Sequence, residues 1–105
     1  MRILWKPAAI EDLKNTLKFI KYNLKKPSAA RALRDRIFNS AALLTENPYM
    51  GASLKSRFEL DDVVHYRYII VSKQMVFYEI INDTIEIIRV LDGRSDYMSV
   101  LFLQE

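Results

Sequence analysis

Three side chains have the chemistry to move a proton or hold a charged reaction centre: His65, Arg67 and Tyr97. Histidine is the side-chain type that exchanges protons near neutral pH, an arginine can hold a phosphate, and a tyrosine hydroxyl can act as a general acid. Together they could supply general acid–base chemistry with a cation beside a developing negative charge. The spacing argues against such a constellation. Strand alternation puts Arg67 on the face opposite Tyr66 and Tyr68. No second catalytic group is fixed near His65, which reads as a surface residue at the start of a strand, and Tyr97 reads as a packing residue. Metal chemistry is poorly supplied, with no cysteine and one histidine. No cofactor motif is present.

A second set of residues suits binding. Arg94 follows Gly93 where the last strand must end, so it is free to project towards a partner. Asp96 either fixes it by a charge-assisted bond or caps a tail helix that begins near Tyr97. Arg89, inside the strand, is expected to pair with Glu79 or Glu86. Residues 1–36 carry ten basic and three acidic groups, a net +7, whereas residues 37–105 carry six basic and ten acidic groups, a net −4. The basic part implies an acidic partner, nucleic acid or protein, or else solvated outer faces of helices.

The elements that must position these residues follow from periodicity. Residues 2–6 read as a short strand. Pro7 suits the first position of a helix, and Ile10, Leu13, Leu17, Ile20 and Leu24 give residues 8–24 one apolar stripe. Lys25, Lys26 and Pro27 break it. Ser28 is placed to cap a second helix with the stripe Ala30, Leu33, Ile37, Ala41 and Leu44, ended by Asn47, Pro48 and Gly51. Trp5 reads as a core anchor. Residues 50–64 read as loop or irregular strand. Tyr66–Val71, Met75–Ile81 and Ile85–Leu91 are β-branched and aromatic, joined by turns at Ser72–Gln74 and Asn82–Asp83. The expected fold is one α+β domain over residues 1–105: an N-terminal strand, an antiparallel helical hairpin, then a three-stranded antiparallel meander. The apolar tail Val100–Leu103 either folds back on the helices or waits for a partner. No apolar run approaches the ~20 residues of a membrane span, so the expected location is the cytoplasm.

Several segments carry a family resemblance. Ala9-Ile10-Glu11-Asp12-Leu13, Phe19-Ile20, Ala29 to Leu33 and Asn47-Pro48-Tyr49 resemble the helical hairpin of the RelE/ParE toxin superfamily. Met75 to Ile80 looks like that family's central strand, and Arg89 to Tyr97 like its C-terminal ending. The resemblance covers Leu4 to about Phe102. It implies the toxin of a bacterial type II toxin–antitoxin system, neutralised by a partner antitoxin. One branch of the superfamily cuts ribosome-bound mRNA; the ParE branch poisons DNA gyrase without catalysing a reaction of its own. RNA-cleaving members place basic residues at the positions matching Tyr66, Tyr68 and Met75. A methionine cannot stabilise a phosphorane, so the ParE branch is the nearer one and mRNA cleavage the alternative. On this reading Arg94, Asp96 and Tyr97 are the candidate target-binding residues. Lys14, Lys18, Lys21 and Arg34 are the candidate antitoxin-binding residues, their charges facing acids of a segment that lies in an apolar groove between hairpin and sheet.

Overall fold

A computed structural model describes residues 1–58 and 65–102. The order is β1 (Arg2–Trp5), α1 (Pro7–Lys18) continued by a π-helical turn (Phe19–Asn23), α2 (Pro27–Leu43), β2 (Ala52–Ser53), α3 (Leu54–Phe58), β3 (Arg67–Val71), β4 (Gln74–Ile81), β5 (Thr84–Asp92) and α4 (Tyr97–Phe102). The sheet runs β1-β5-β4-β3-β2. β3, β4 and β5 form the expected antiparallel meander. β1 adds beside β5 in parallel, with Trp5 opposite Ile87, so the sheet is mixed.

Pro7 opens α1, where its missing N–H costs nothing. The stripe of α1 is narrower than its spacing suggests. Ala9 and Leu13 are buried and Leu17 and Ile20 partly so, but Ile10 and Leu24 are exposed. The helix changes pitch at its end: the Leu24 N–H donates to the Phe19 carbonyl across five residues, which rotates the last side chains off the core line. Lys25 then takes a left-handed φ of 55° and turns the chain back. Pro27 begins α2 rather than ending α1, and Lys26 holds the cap position. Ser28 therefore lies inside the first turn and is not the cap; its Oγ accepts from Arg31 Nη2 at 3.2 Å. Proline's fixed φ claims the first helical position and leaves the serine one residue too late. The five-residue stripe of α2 is buried throughout.

Both hairpin turns are two residues long, with Ser72 at φ 57° and Asn82 at φ 55°. Gln74 is not part of the first turn: it pairs with Val71 and Asp92 and is buried. β5 carries a bulge, because Phe77 faces Arg89 while Tyr78 faces Ile87, leaving Ile88 as the extra residue.

Each sheet face has its own core. Ile37, Leu44, Val76, Tyr78, Ile85 and Ile87 lie between the sheet and the α1–α2 hairpin. Trp5 joins this core from its edge, half-buried, with its ring 5.0 Å from that of Phe38. On the opposite face, Tyr68, Met75 and Phe77 are covered by Leu54 of α3 and by Tyr97 and Leu101 of α4. The apolar tail thus packs on the sheet face away from the helical hairpin; Phe102 stacks on Tyr66 at 5.7 Å. Leu103 and residues 59–64 of the expected loop lie outside the described residues. Within the remainder of that loop, α3 is a short helix that periodicity did not reveal.

The loop before β2 is pinned from inside. The Tyr78 hydroxyl donates to the Pro48 carbonyl at 2.7 Å and accepts from the Gly51 N–H at 3.0 Å. A Cβ on residue 51 would stand 2.6 Å from both the Tyr68 carbonyl oxygen and the Tyr78 hydroxyl, so this close approach requires glycine.

Candidate partner-binding site

The end of β5 forms a charged clasp. Gly93 donates its N–H to the Lys73 carbonyl at 2.8 Å, and the chain then leaves the sheet. Asp92 accepts from the Arg94 backbone N–H at 2.8 Å, from Nε at 3.0 Å and from Nη2 at 2.8 Å. Arg94 does not project unpaired, and its partner is Asp92 rather than Asp96. Asp96 instead caps α4, accepting from the Ser99 hydroxyl at 2.6 Å and from the Ser99 N–H at 3.4 Å. The turn at Gly93 folds Arg94 back over the preceding acid, while Asp96 already faces the first turn of α4. The Arg94 side chain remains 71% exposed. The Arg94 side-chain hydrogen bonds, followed by its backbone N–H, pull the Asp92 carboxyl down to about 2.

A measurable consequence concerns Asp92 itself. In Arg94→Ala its carboxyl should return from about 2 towards its ordinary value of 3.8, read by NMR from the carboxyl carbon as pH is lowered. A depressed carboxyl adds stability above its unfolded value and loses it as pH falls through its folded value. Any wild-type advantage from this pair is therefore present above pH 3.8 and fades towards about 2. An Asp92 that titrates alike in both proteins would show the clasp to be absent in solution. The pair is exposed, so its effect on stability at neutral pH is small.

Arg94 stands on the rim of a groove of about 690 Å³ between the helical hairpin and the β3–β4 end of the sheet. Its floor is apolar, from Phe19, Ile20 and Leu24 on one side and Ala29, Ala32 and Leu33 on the other. Phe19 and Leu24 are about half exposed because the π-helical turn rotates them off the core. The rim is cationic: Arg36, Lys73 and Arg94, with Asp92 between the last two along the β4–β5 side. Arg36 is steadied by donating Nη1 to Ser72 Oγ at 2.9 Å. The shape suits an amphipathic segment with apolar residues inward and acids at the rim.

The four cations expected at this groove sit elsewhere. Lys18, Lys21 and Arg34 flank a separate hollow of about 310 Å³ on the other side of the hairpin, together with Arg31. α1 and its π-helical turn present Phe19 and Ile20 to the groove but Lys18 and Lys21 to the hollow; α2 divides in the same way. Lys14 is exposed on α1 and lines neither. Sequence reasoning missed Arg36, Lys73 and Asp92 as rim residues. Their only advance signal was charge itself; that Arg36 faces the groove depends on the phase of helix packing, and that Lys73 and Asp92 reach it depends on how the sheet end meets the hairpin.

The candidate catalytic residues are not brought together. Tyr97 is buried against Phe77, with ring centroids 5.4 Å apart. Arg67 faces the opposite side of the sheet, as alternation required. Its Nη2 donates to the carbonyls of Tyr49 and Gly51, and its guanidinium lies 5.3 Å from the Tyr49 ring. His65 is exposed and borders a small hollow of about 250 Å³ with Arg67, Tyr49 and Lys55. On the Tyr97 side, Arg57 donates to the Tyr68 hydroxyl at 3.0 Å and lies over the rings of Phe58 and Tyr68. The hydrogen bond to Tyr68 raises its guanidinium further above the ordinary value. Sequence reading gave no hint of Arg57, since it lies on the helix hidden in the expected loop. Among the described residues no group of carboxylates and histidines could hold a metal, and no helix is long and apolar enough to cross a membrane.

Residues 3–97 match the family model for the ParE toxin of type II toxin–antitoxin systems, parDE. Among solved structures, the chain is similar to one from the chromosomal ParDE toxin–antitoxin system of P. aeruginosa, with a TM-score of 0.70 at 18% identity. The match covers 88% of this chain and 95% of that one, and at this identity it speaks for the fold. No curated protein matches the chain.

Proposed function

The chain belongs to the ParE toxin family of type II toxin–antitoxin systems, and from that premise we propose that it arrests bacterial growth by poisoning DNA gyrase in the cytoplasm, without catalysing a reaction of its own, until an antitoxin masks it. The observation that carries this reading is the filling of the outer sheet face. The positions where RNA-cleaving relatives place basic residues hold Tyr66, Tyr68 and Met75 here. Tyr68 and Met75 are buried beneath α3 and α4 with Phe77, Tyr97 and Leu101. Phosphodiester cleavage needs convergent proton donors, acceptors and cations around an accessible phosphate. This face offers packed aromatic and thioether groups, with Arg57 held by the Tyr68 hydroxyl.

Arg94 is the residue proposed to contact the target. Asp96 supports it indirectly by starting α4, and Tyr97 anchors that helix to the sheet. The antitoxin is proposed to lay an apolar stretch in the groove, its acids meeting Arg36, Lys73 and Arg94. A continuing acidic stretch crosses the hairpin to Lys18, Lys21 and Arg34, with Lys14 one turn further along α1. Apolar anchors then hold the complex and the cations speed its formation.

Induction of this chain alone should stop bacterial growth, and co-expression of the adjacent antitoxin frame should restore it. Purified protein should inhibit gyrase supercoiling or accumulate cleaved DNA complexes, while leaving mRNA on programmed ribosomes intact. Site-specific cuts in that mRNA would replace this reading with ribosome-dependent RNA cleavage. Harmless expression of verified folded protein would remove the toxin reading altogether.

A further inference from the structure

The hollow on the outer side of the helical hairpin has a composition unlike the groove behind it. Four of its eight lining residues are Lys or Arg and none is acidic, in a chain whose total charge is +3. Lys18 and Lys21 come from α1 and its π-helical turn, Arg31 and Arg34 from α2, and all four border the hollow. All four are exposed. Arg34 pairs with Asp35 at 3.2 Å, and Arg31 bonds to Ser28. Lys18 and Lys21 have no carboxylate partner among the described residues. Four cations gathered from two helices, with Asp35 the one carboxylate paired among them, repel one another, and a polyanion laid across them removes that repulsion.

We infer that this face of the hairpin grips the phosphate backbone of duplex DNA without reading its sequence. The hollow has less than half the volume of the groove on the other side, so an acidic antitoxin stretch crossing it finds little depth for apolar anchors and competes with DNA for the same cations. Backbone binding to DNA needs no such anchors, because its free energy comes from releasing counterions as lysines and arginines replace them. The inference deepens the proposed reading, since a poison of gyrase meets its target on DNA; its test, however, contains no gyrase.

Fluorescence anisotropy of a labelled 20-base-pair duplex of mixed sequence, titrated with the full chain at several salt concentrations, reads the contact directly. Four neutralised phosphates give a slope of log affinity against log salt of about −3.6, or a loss of roughly 100-fold between 50 and 200 mM salt. The Lys18→Ala/Lys21→Ala/Arg34→Ala variant alters exposed side chains only, and an unchanged melting curve establishes that it folds. Its slope should fall in magnitude by about 2–3. Arg2→Ala, which removes a cation from β1, should leave the slope unchanged. A wild-type slope near zero, or a slope unmoved in the folded triple variant, overturns the inference. Tighter binding of a single-stranded RNA of equal length also overturns it and makes RNA the partner. A protein that binds DNA as described but leaves gyrase unaffected would contradict the proposed function and not this surface.

Discussion

Replacing Asp12 with alanine is expected to cost about 2–4 kcal/mol of folding stability, more than any exposed charge in the chain. Its carboxylate accepts from Arg89 Nε at 2.7 Å, from Arg89 Nη2 at 2.8 Å and from the Val90 N–H at 3.0 Å. The Asp12 and Arg89 side chains are 12% and 24% exposed. Truncation leaves a largely desolvated guanidinium and a backbone amide without their acceptor. Breaking a fully buried pair costs about 3–5 kcal/mol; the solvent that still reaches Arg89 reduces the figure here. α1 depends on this contact more than an ordinary helix would, since it fully buries only Ala9 and Leu13. Arg89→Ala should be nearly as costly, because it leaves the carboxylate with the Val90 amide alone. Urea unfolding of both single variants and the double variant would give the coupling, expected above about 1.5 kcal/mol for residues in direct contact. A loss below about 0.5 kcal/mol in Asp12→Ala would mean that apolar packing alone docks α1.

The pair also marks where sequence reading stops. Arg89 lies 77 positions after Asp12. The acids expected to pair with Arg89 were its sheet neighbours Glu79 and Glu86, but Glu86 pairs with Lys6 at 3.1 Å. Alternation from Ile85 and Ile87 already points Arg89 to the helix side, and the bulge at Ile88 brings Val90 to that side as well; which residue of α1 meets them depends on how the helix docks, which no periodicity encodes. By contrast, the stripe of α2 and the meander from β3 to β5 were legible, because burial of one helix face or two sheet faces imposes a period on the sequence itself. The parallel partner of β1 was not legible: both sheet edges offer similar backbone groups, and the return path of the hairpin decides between them. The tail's apolar character was plain in Leu101 and Phe102, but which sheet face it covers depends on α3, a helix of five residues with too few turns to show a period. At the candidate site, Arg94 was legible as a residue the core does not need. Its clasp was not: Asp96 was the acid expected to hold it, Asp92 stands equally far from it in sequence, and only the turn at Gly93 selects Asp92.

That clasp sharpens what Arg94→Ala should do. The side chain is 71% exposed and supports no core contact, so its loss should leave the melting temperature at neutral pH almost unchanged. Asp92 holds Nε and Nη2, which fixes the plane of the guanidinium. A group already held in place loses less freedom when a partner binds, so more of the charge-assisted bond appears as affinity. Losing such a bond should weaken target binding by about 1.5–3 kcal/mol, roughly tenfold or more. Growth arrest should then require correspondingly more toxin, and inhibition of gyrase should shift by the same factor. Antitoxin binding should respond differently, because Arg94 is one of three rim cations above an apolar floor. Removing a rim charge slows encounter but leaves the anchors, so association should slow while dissociation changes little. Arg89→Ala supplies the contrast: it should lower the melting temperature and toxicity together, since its effect runs through the docking of α1. Asp92→Ala should preserve the charge of Arg94 but release its orientation, giving a smaller loss of toxicity than Arg94→Ala. A folded Arg94→Ala protein that arrests growth at the wild-type dose would exclude this residue from the target surface and turn attention to the cations on the other side of the hairpin.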